Sequence, residues 1–467
     1  MSEFIAGALQ SCVVGCGQCG SRIAAFFDKT PSFLKHRAWE LYPIRCAAID
    51  TDPSLQNSLV QPPWNWQEIN DIHSGIPLAS RETVFQRIFK TTTSSRAFKK
   101  FYEERMERGQ AGHFPYMGTI AAEERLRPED PVGNDLREKL INRKFDRGLL
   151  LVTNALTGGT GTGFAPVIPK FFSTFWKDVR LALNLSIIPQ MGDIDKRQIF
   201  PGNIIYSLYN LSQSKRFDAI ILADNDVLSA YYNCKGNPEY NSLLHEILAS
   251  ILLAPLGEYD CPSFGSTMDH ADIRRVLLPD RGFGVSELCA LGYAQKKPLR
   301  QLCLRLKSRK NRATYIMNWL HSLVDSAIYK TTIGPMKMDT QGTLVGIKGA
   351  IGVLSGPPYF FNKILEGVEG YYSDMEAYIK RRVSPNFQLA FLQFPDMKQV
   401  RLSLILSGIT SPKLEQIYQE VVPSEKQQRD GSLMERIRHL GQETVEEIMI
   451  KEIRDKLSKE TATNVEK

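Results

Sequence analysis

Four glycines and three threonines fill the seven residues Thr157-Gly158-Gly159-Thr160-Gly161-Thr162-Gly163, shortly after the apolar run Gly148-Leu149-Leu150-Leu151-Val152. This order constrains the chain more than any other stretch, because it reads as a buried strand running through Leu156 into a phosphate-sized turn and then a helix from Phe164. Glycine lets the backbone approach an anion closely, while hydroxyl and N–H groups donate toward it at the positive end of the helix that follows. Gly158, Gly159, Thr160, Gly161, Thr162 and Gly163 are therefore assigned to the phosphates of a nucleotide. The spacing is not G-x-x-x-x-G-K-S/T, whose lysine is absent, nor is it the dinucleotide fingerprint. A glycine-rich turn can also be an ordinary strand-to-helix connection, so the rest of the chain decides.

Near the N-terminus the short apolar strand Ser11-Cys12-Val13-Val14 breaks at Gly15-Cys16-Gly17-Gln18-Cys19-Gly20, and a helix carrying Ile23, Phe26 and Phe27 follows. That is a second turn of phosphate-facing type. Cys46-Ala47-Ala48-Ile49 is a strand that ends in Asp50-Thr51-Asp52-Pro53. Ile220-Ile221-Leu222-Ala223-Asp224 ends in the amide of Asn225, and Asn241 opens a helix with Leu243, Leu244, Ile247, Leu248, Ile251 and Leu252 at apolar spacing. An amide presents donor and acceptor together, which reading the edge of guanine requires, although a lone asparagine commonly just caps a helix. Further on, Asp269 and Asp272 stand at i and i+3 in Gly265-Ser266-Thr267-Met268-Asp269-His270-Ala271-Asp272-Ile273-Arg274. Acids at a helix start complement the macrodipole and, as an isolated pattern, read as capping.

In this order the segments resemble the tubulin/FtsZ superfamily. The GGTGTG core is similar to its nucleotide loop, with Thr157 where glycine normally stands. Gly17-Gln18-Cys19-Gly20 looks like the first nucleotide loop of tubulin, which implies that Gln18 contacts phosphate and metal, and Asp52 falls where a carboxylate lies near magnesium. Gly109-Gln110-Ala111-Gly112, Pro115-Tyr116-Met117-Gly118 and Ala121-Ala122-Glu123-Glu124 resemble the γ-phosphate-sensing loop of FtsZ with one residue inserted. Taken alone they could be a solvent loop and a capped helix. Pro189, Asp193, Arg197 and Phe200 fall at the spacing of the FtsZ ribose loop, which implies that Asp193 accepts from sugar hydroxyls and Arg197 lies by the base. Asn225 and Asn241 match the guanine-binding asparagines, and the segment from Gly265 to Arg274 resembles the synergy loop, with Thr267 in place of an asparagine.

The resemblance implies GTP/GDP with Mg2+, and hydrolysis completed by Asp269 and Asp272 acting in trans on the nucleotide of the next subunit. Such catalysis is positioning plus charge stabilisation, so an isolated monomer is expected to be slow. A GTPase activated by its own assembly into head-to-tail filaments follows, with cell division, DNA segregation or cell shape as its role. Sensing and ribose loops like FtsZ beside a tubulin-like Gly-Gln-Cys-Gly point to a divergent, prokaryotic-type branch, such as the plasmid-segregating or archaeal shape-determining members. The alternative is a non-polymerising nucleotide-binding regulator or scaffold that kept the pocket.

The expected fold class is α/β, with a Rossmann-like GTPase domain on a parallel sheet (1–237), a central connecting helix (238–256), a second α+β domain bearing the synergy loop (257–420) and a helical tail (421–467). Strands are expected at 286–294, 345–354, 387–394 and 400–406, and helices at 313–329 and 359–379. A chain of 467 residues that is 43% apolar can bury such cores. No apolar run approaches the roughly 18 residues of a membrane span, and Met1-Ser2-Glu3-Phe4 has no secretory pattern, so a cytoplasmic protein is expected. Cys16-Gly17-Gln18-Cys19 has formal C-x-x-C spacing, but no second pair or nearby His pair completes a zinc site. His113 and His270 are read as surface residues. The acid-free stretch 296–312 carries Lys296, Lys297, Arg300, Arg305, Lys307, Arg309, Lys310 and Arg312. It could meet nucleic acid or a membrane, but a solvated face or subunit contact is favoured. Leu433, Ile437, Leu440, Ile448, Ile453 and Leu457 lie at near-helical spacing, on a helix that either packs on the body or docks an adaptor protein.

Overall fold

The computed structural model describes residues 10–27, 44–60, 72–78, 111–140, 147–176, 178–192, 201–214, 216–232, 234, 236–256, 260–261, 268–277, 287–297, 309–365, 368, 370–427 and 430–452. Its strands are β1 (Gln10–Cys16), β2 (Arg45–Ile49), β3 (Ile72–His73), β4 (Arg147–Ala155), β5 (Asp178–Ile188), β6 (Ala219–Asp224), β7 (Glu287–Lys296), β8 (Gly349–Gly356), β9 (Phe387–Gln393) and β10 (Val400–Ser407). They form one sheet in the order β3-β2-β1-β4-β5-β6-β7-β10-β8-β9. All neighbours from β3 to β7 run parallel, whereas β10 is antiparallel to both β7 and β8. The strands of the expected second α+β domain thus continue the same sheet, joined through β6 and β7 in register from Ala219 with Glu287 to Leu222 with Ala290.

The helices used below are α1 (Gly17–Phe27), α2 (Pro115–Arg125), α3 (Gly159–Phe164), α4 (Pro201–Gln213), α5 (Asn225–Tyr232), α6 (Asn237–Leu253), α7 (His270–Leu277), α8 (Arg309–Tyr329), α9 (Tyr371–Arg382), α10 (Pro412–Val421) and α11 (Leu433–Arg438). Strand β4 shows why the apolar run is continuous. Leu150 and Val152 enter one core with α2 and α4, while Leu149 and Leu151 enter a second core with α1 and α6. A sheet covered on both faces buries every position of a central strand.

Helix α6 is the central connector. Leu244, Ile247, Leu248, Ile251 and Leu252 are buried among residues of α1, β8 and β10, and Ser250 Oγ lies 3.1 Å from Ser403 Oγ on β10. The helix expected at 359–379 is two elements instead. A π-helical turn, Phe360–Leu365, is followed by Gly370 at φ 73°, a left-handed position from which α9 starts afresh.

The C-terminal segment lies on the body. Leu433, Ile437, Leu440 and Ile448 are buried with Ile204 and Leu208 of α4, α11 opens with a Ser432/Glu435 capping box, and Gly202 N at the start of α4 donates to both carboxylate oxygens of Glu452 at 3.0 and 2.9 Å. Of the two expectations for this apolar face, packing on the body and docking an adaptor, the residues through 452 take the first. Ile453 and Leu457 fall outside the described residues, as do 298–308 of the basic stretch. At its edge Lys296 hydrogen-bonds Ser322 and sits 6.0 Å from the Trp319 ring centroid. No helix among the described residues is long and apolar enough to cross a membrane.

Candidate functional site

A cavity of about 710 Å³ opens over the C-terminal ends of β1, β2, β4, β5 and β6. Open parallel sheets bind ligands on this edge, where helix N-termini and loop N–H groups converge. Gly17, Gln18 and Cys19 line it from β1–α1, Asp52 from the end of β2, Gly112 from the segment before α2, and Gly158, Gly159, Thr160 and Gly161 from β4–α3. Asn225 and Asn241 line the opposite end. Asp193, Arg197 and Phe200 lie outside the described residues, although their neighbours Pro189 and Gln190 form part of the wall.

The glycine loops are interlocked backbone to backbone. Gly159 N donates to Gly112 O at 2.6 Å, and a Cβ on Gly159 would stand 2.5 Å from that same oxygen. Gly17, at φ 71°, meets Gly161 N across a space where a Cβ would lie 2.8 Å away. Gly20, Gly118 and Gly163 are not cavity residues. They make room for Thr153, for Gly159 and for Gly118 respectively, so their small size serves packing between loops. Thr162 is likewise turned inward, its hydroxyl hydrogen-bonding Gly158 O and Ala155 O.

Hydroxyls and amides fix the floor. Thr51 Oγ1 lies 2.7 Å from Thr160 Oγ1 and accepts from Ala111 N at 3.0 Å, tying the loops after β2, before α2 and after β4 together. Beneath them Asn184 and Ser186 on β5 donate to Asn154 Oδ1 on β4 at 2.8 and 3.0 Å.

Asp50 also lines the cavity, and sequence reasoning passed over it in favour of Asp52. Burial pushes its carboxyl up to about 6, against hydrogen bonds from Asp52 N and Thr160 that hold it down. The signal was its place at the end of the apolar run Cys46–Ile49, one step nearer the core than Asp52. A buried carboxylate beside an exposable one, facing glycine turns, suits a divalent cation held by one or two acids plus phosphate oxygens, so the donor set fits Mg2+. Arg22 and Tyr240 are among the other lining residues that the sequence reading missed. Arg22 is one helical turn beyond Cys19 on α1, and Tyr240 immediately precedes Asn241 on α6.

The cysteines of the first loop are held as thiols. Burial raises Cys16 far above its ordinary value and Cys19 to about 11, the nearby Arg22 charge opposing the second shift. Zinc and redox chemistry require the thiolate. His113 lines the cavity, and burial lowers the pKa of His270 at the start of α7.

Asp269 and Asp272 stand away from this cavity at the start of α7. Asp272 N donates to Asp269 Oδ1 at 2.8 Å, Asp269 N donates to Asp272 Oδ2 at 3.3 Å, and Arg275 pairs with Asp272 at 2.8 Å. The helix itself is pinned by Arg274, whose guanidinium grips both oxygens of buried Asp218 at 2.7 and 3.1 Å.

No protein-family model matches the chain, and no curated protein matches it by sequence. Solved structures do. The chain is similar to CetZ1 from Haloferax volcanii, a GDP-bound monomer, at 18% identity and TM-score 0.56, over 88% of this chain and 98% of that one. It is similar to CetZ2 from the same organism, solved as a GTPγS-bound protofilament, at 16% identity and TM-score 0.54, over 88% and 97%. For the empty FtsZ dimer of M. jannaschii the values are 17% identity and TM-score 0.50, over 86% and 89%. The chain has the tubulin/FtsZ fold.

Proposed function

We propose that the protein binds GTP and GDP in this cavity and hydrolyses GTP in head-to-tail filaments. The observation that carries the reading is the cavity itself. It gathers the two glycine loops, Gly112, the acids Asp50 and Asp52, and the amides of Asn225 and Asn241 from segments far apart in sequence. Phosphates belong at the glycine end, between the loops Gly17–Cys19 and Gly158–Gly161, and guanine at the end where Asn225, Asn241 and Tyr240 meet. The proteins of the same fold solved with GDP and with GTPγS in a protofilament support both the ligand and the assembly.

Asp50 and Asp52 are the residues that would hold Mg2+, which supplies charge neutralisation on the phosphates when bound. The chain's own loops orient the nucleotide, and their close backbone packing leaves little freedom to be lost on binding. Asp269 and Asp272 project from the other side of the subunit, where they would meet the next copy's nucleotide, orient a water for attack on the γ-phosphorus and accept its proton as GDP leaves.

A second reading rests on a specific observation. The mutual capping of Asp269 and Asp272 accounts for both carboxylates within one chain, as a non-polymerising nucleotide-binding scaffold would need. Titration calorimetry with GTP and ATP, followed by sedimentation with GTP or GDP, tests the proposal and separates the two. Preference for GTP with GTP-dependent pelleting is expected. Equal affinity for ATP removes the guanine site, and guanine-selective binding without pelleting or concentration-dependent turnover leaves the scaffold.

A further inference from the structure

Lys413 is in the first turn of α10, where the positive helix end disfavours a cation. Its side chain is nonetheless largely buried, 12% exposed, and its ammonium group makes three contacts that satisfy its three donors. It donates to Pro189 O at 2.6 Å, to Asp224 Oδ1 at 2.9 Å and to Asp226 Oδ2 at 2.6 Å. Those partners flank the base end of the cavity. Asp224 and Asp226 are the residues on either side of Asn225, and Pro189, which lines the cavity, directly follows Ile188, the β5 residue paired with Asp224.

The surrounding bonds extend the same clamp. Asp226 N donates to Asp224 Oδ1 at 2.9 Å, Met191 N donates to Asp226 Oδ2 at 3.1 Å, and Asp224 N donates to Thr332 O at 2.8 Å. One cation thus pairs with two carboxylates that bracket Asn225 and ties that turn to the neighbouring end of β5. Removing it would leave adjacent like charges, and their repulsion would act on the backbone that carries the amide.

We propose that Lys413 is a positioning residue for base recognition: by joining Asp224, Asp226 and Pro189 it sets the orientation of Asn225 toward guanine. The inference rests on the guanine reading given above. It makes the segment after β10 part of the specificity apparatus although no residue of α10 lines the cavity. A merely structural ion pair would lower stability without changing which base is preferred.

The experiment measures affinity for GDP and for ADP by calorimetry on the full chain, with melting curves alongside, for the parent, Asn225→Ala, Lys413→Met and their double variant. Lys413→Met is expected to cut the GDP-over-ADP preference by about tenfold, and in the Asn225→Ala background to cut it no further. Lys413→Arg, which keeps the charge, should restore part of the preference. Should Lys413→Met fail to fold, Asp226→Asn weakens the same clamp from the other side and is expected to reduce the preference about threefold. If Asn225→Ala loses preference while Lys413→Met and Asp226→Asn keep it, the positioning role is overturned and the guanine site stands. If Asn225→Ala keeps the parent preference, the assignment of Asn225 fails and takes the role of Lys413 with it.

Discussion

The hydroxyl oxygens of Thr51 and Thr160 lie 2.7 Å apart across a sequence separation of 109 residues, and Thr51 also accepts from Ala111 N. A single buried oxygen pair therefore holds the acidic loop, the glycine loop and the entry to α2 in one arrangement. Thr51→Val strands the Ala111 N–H and should cost about 1–3 kcal/mol of stability. In a double-mutant cycle with Thr160→Val, nucleotide affinity measured by calorimetry should show a coupling of about 0.5–3 kcal/mol. Strictly additive losses would mean that the two hydroxyls act separately.

Neighbouring glycines should behave in opposite ways. A Cβ on Gly159 collides with Gly112 O, whereas one on Gly158 meets nothing within 4 Å. Gly159→Ala is expected to melt lower and bind nucleotide weakly, while Gly158→Ala should melt as the parent does. Circular dichroism melts of the pair decide it. Equal melting points would deny the loop contact.

Asp50 makes the nucleotide-free protein sensitive to pH. Its folded carboxyl titrates near 6, above the ordinary 3.8, so between those values the folded state holds the proton that the unfolded chain releases. Stability should accordingly fall as pH rises through that window and stay reduced above it. Asp50→Asn removes the burden and should stabilise the nucleotide-free protein at pH 7 by on the order of 2 kcal/mol, while weakening Mg2+-dependent GTP binding. A variant with an unchanged pH profile of melting would show that Asp50 carries no such strain.

Turnover per subunit should climb with protein concentration if Asp269 and Asp272 act on a neighbour's nucleotide. Asp272→Asn keeps an oxygen for the Asp269 N–H, so the cap survives, yet its turnover should drop by about 100-fold with GTP affinity unchanged. Mixing it with a Gly161→Val protein, whose pocket is spoiled, should restore part of the activity. Turnover that ignores concentration, or an Asp272→Asn protein as fast as the parent, would leave the acids as a helix cap alone.

Gly17–Cys19, Gly158–Gly161 and Asn225, which line the cavity, stand out in the sequence because each follows an apolar strand that stops at a loop or an amide. A glycine that admits a phosphate and a glycine that admits another backbone look the same in sequence, so Gly20, Gly118 and Gly163 were grouped with the ligand although they face their own loops. The left-handed Gly370 from which α9 starts lies inside an otherwise helical pattern of sequence, so this start was not legible there. Lys413 gave no signal at all, since its partners lie 224, 189 and 187 positions away and its own surroundings in sequence are those of an ordinary helix start. The joining of the two halves of the sheet was equally hidden, because strand neighbours are a property of tertiary pairing.

That junction has a mechanical meaning. With β5 on one edge and β7 on the other, β6 laminates the halves into a single twisted plate. A pull along the strands would load the backbone bonds between β6 and β7 in shear, several together, instead of peeling them one at a time. Under such tension the plate would resist as one piece.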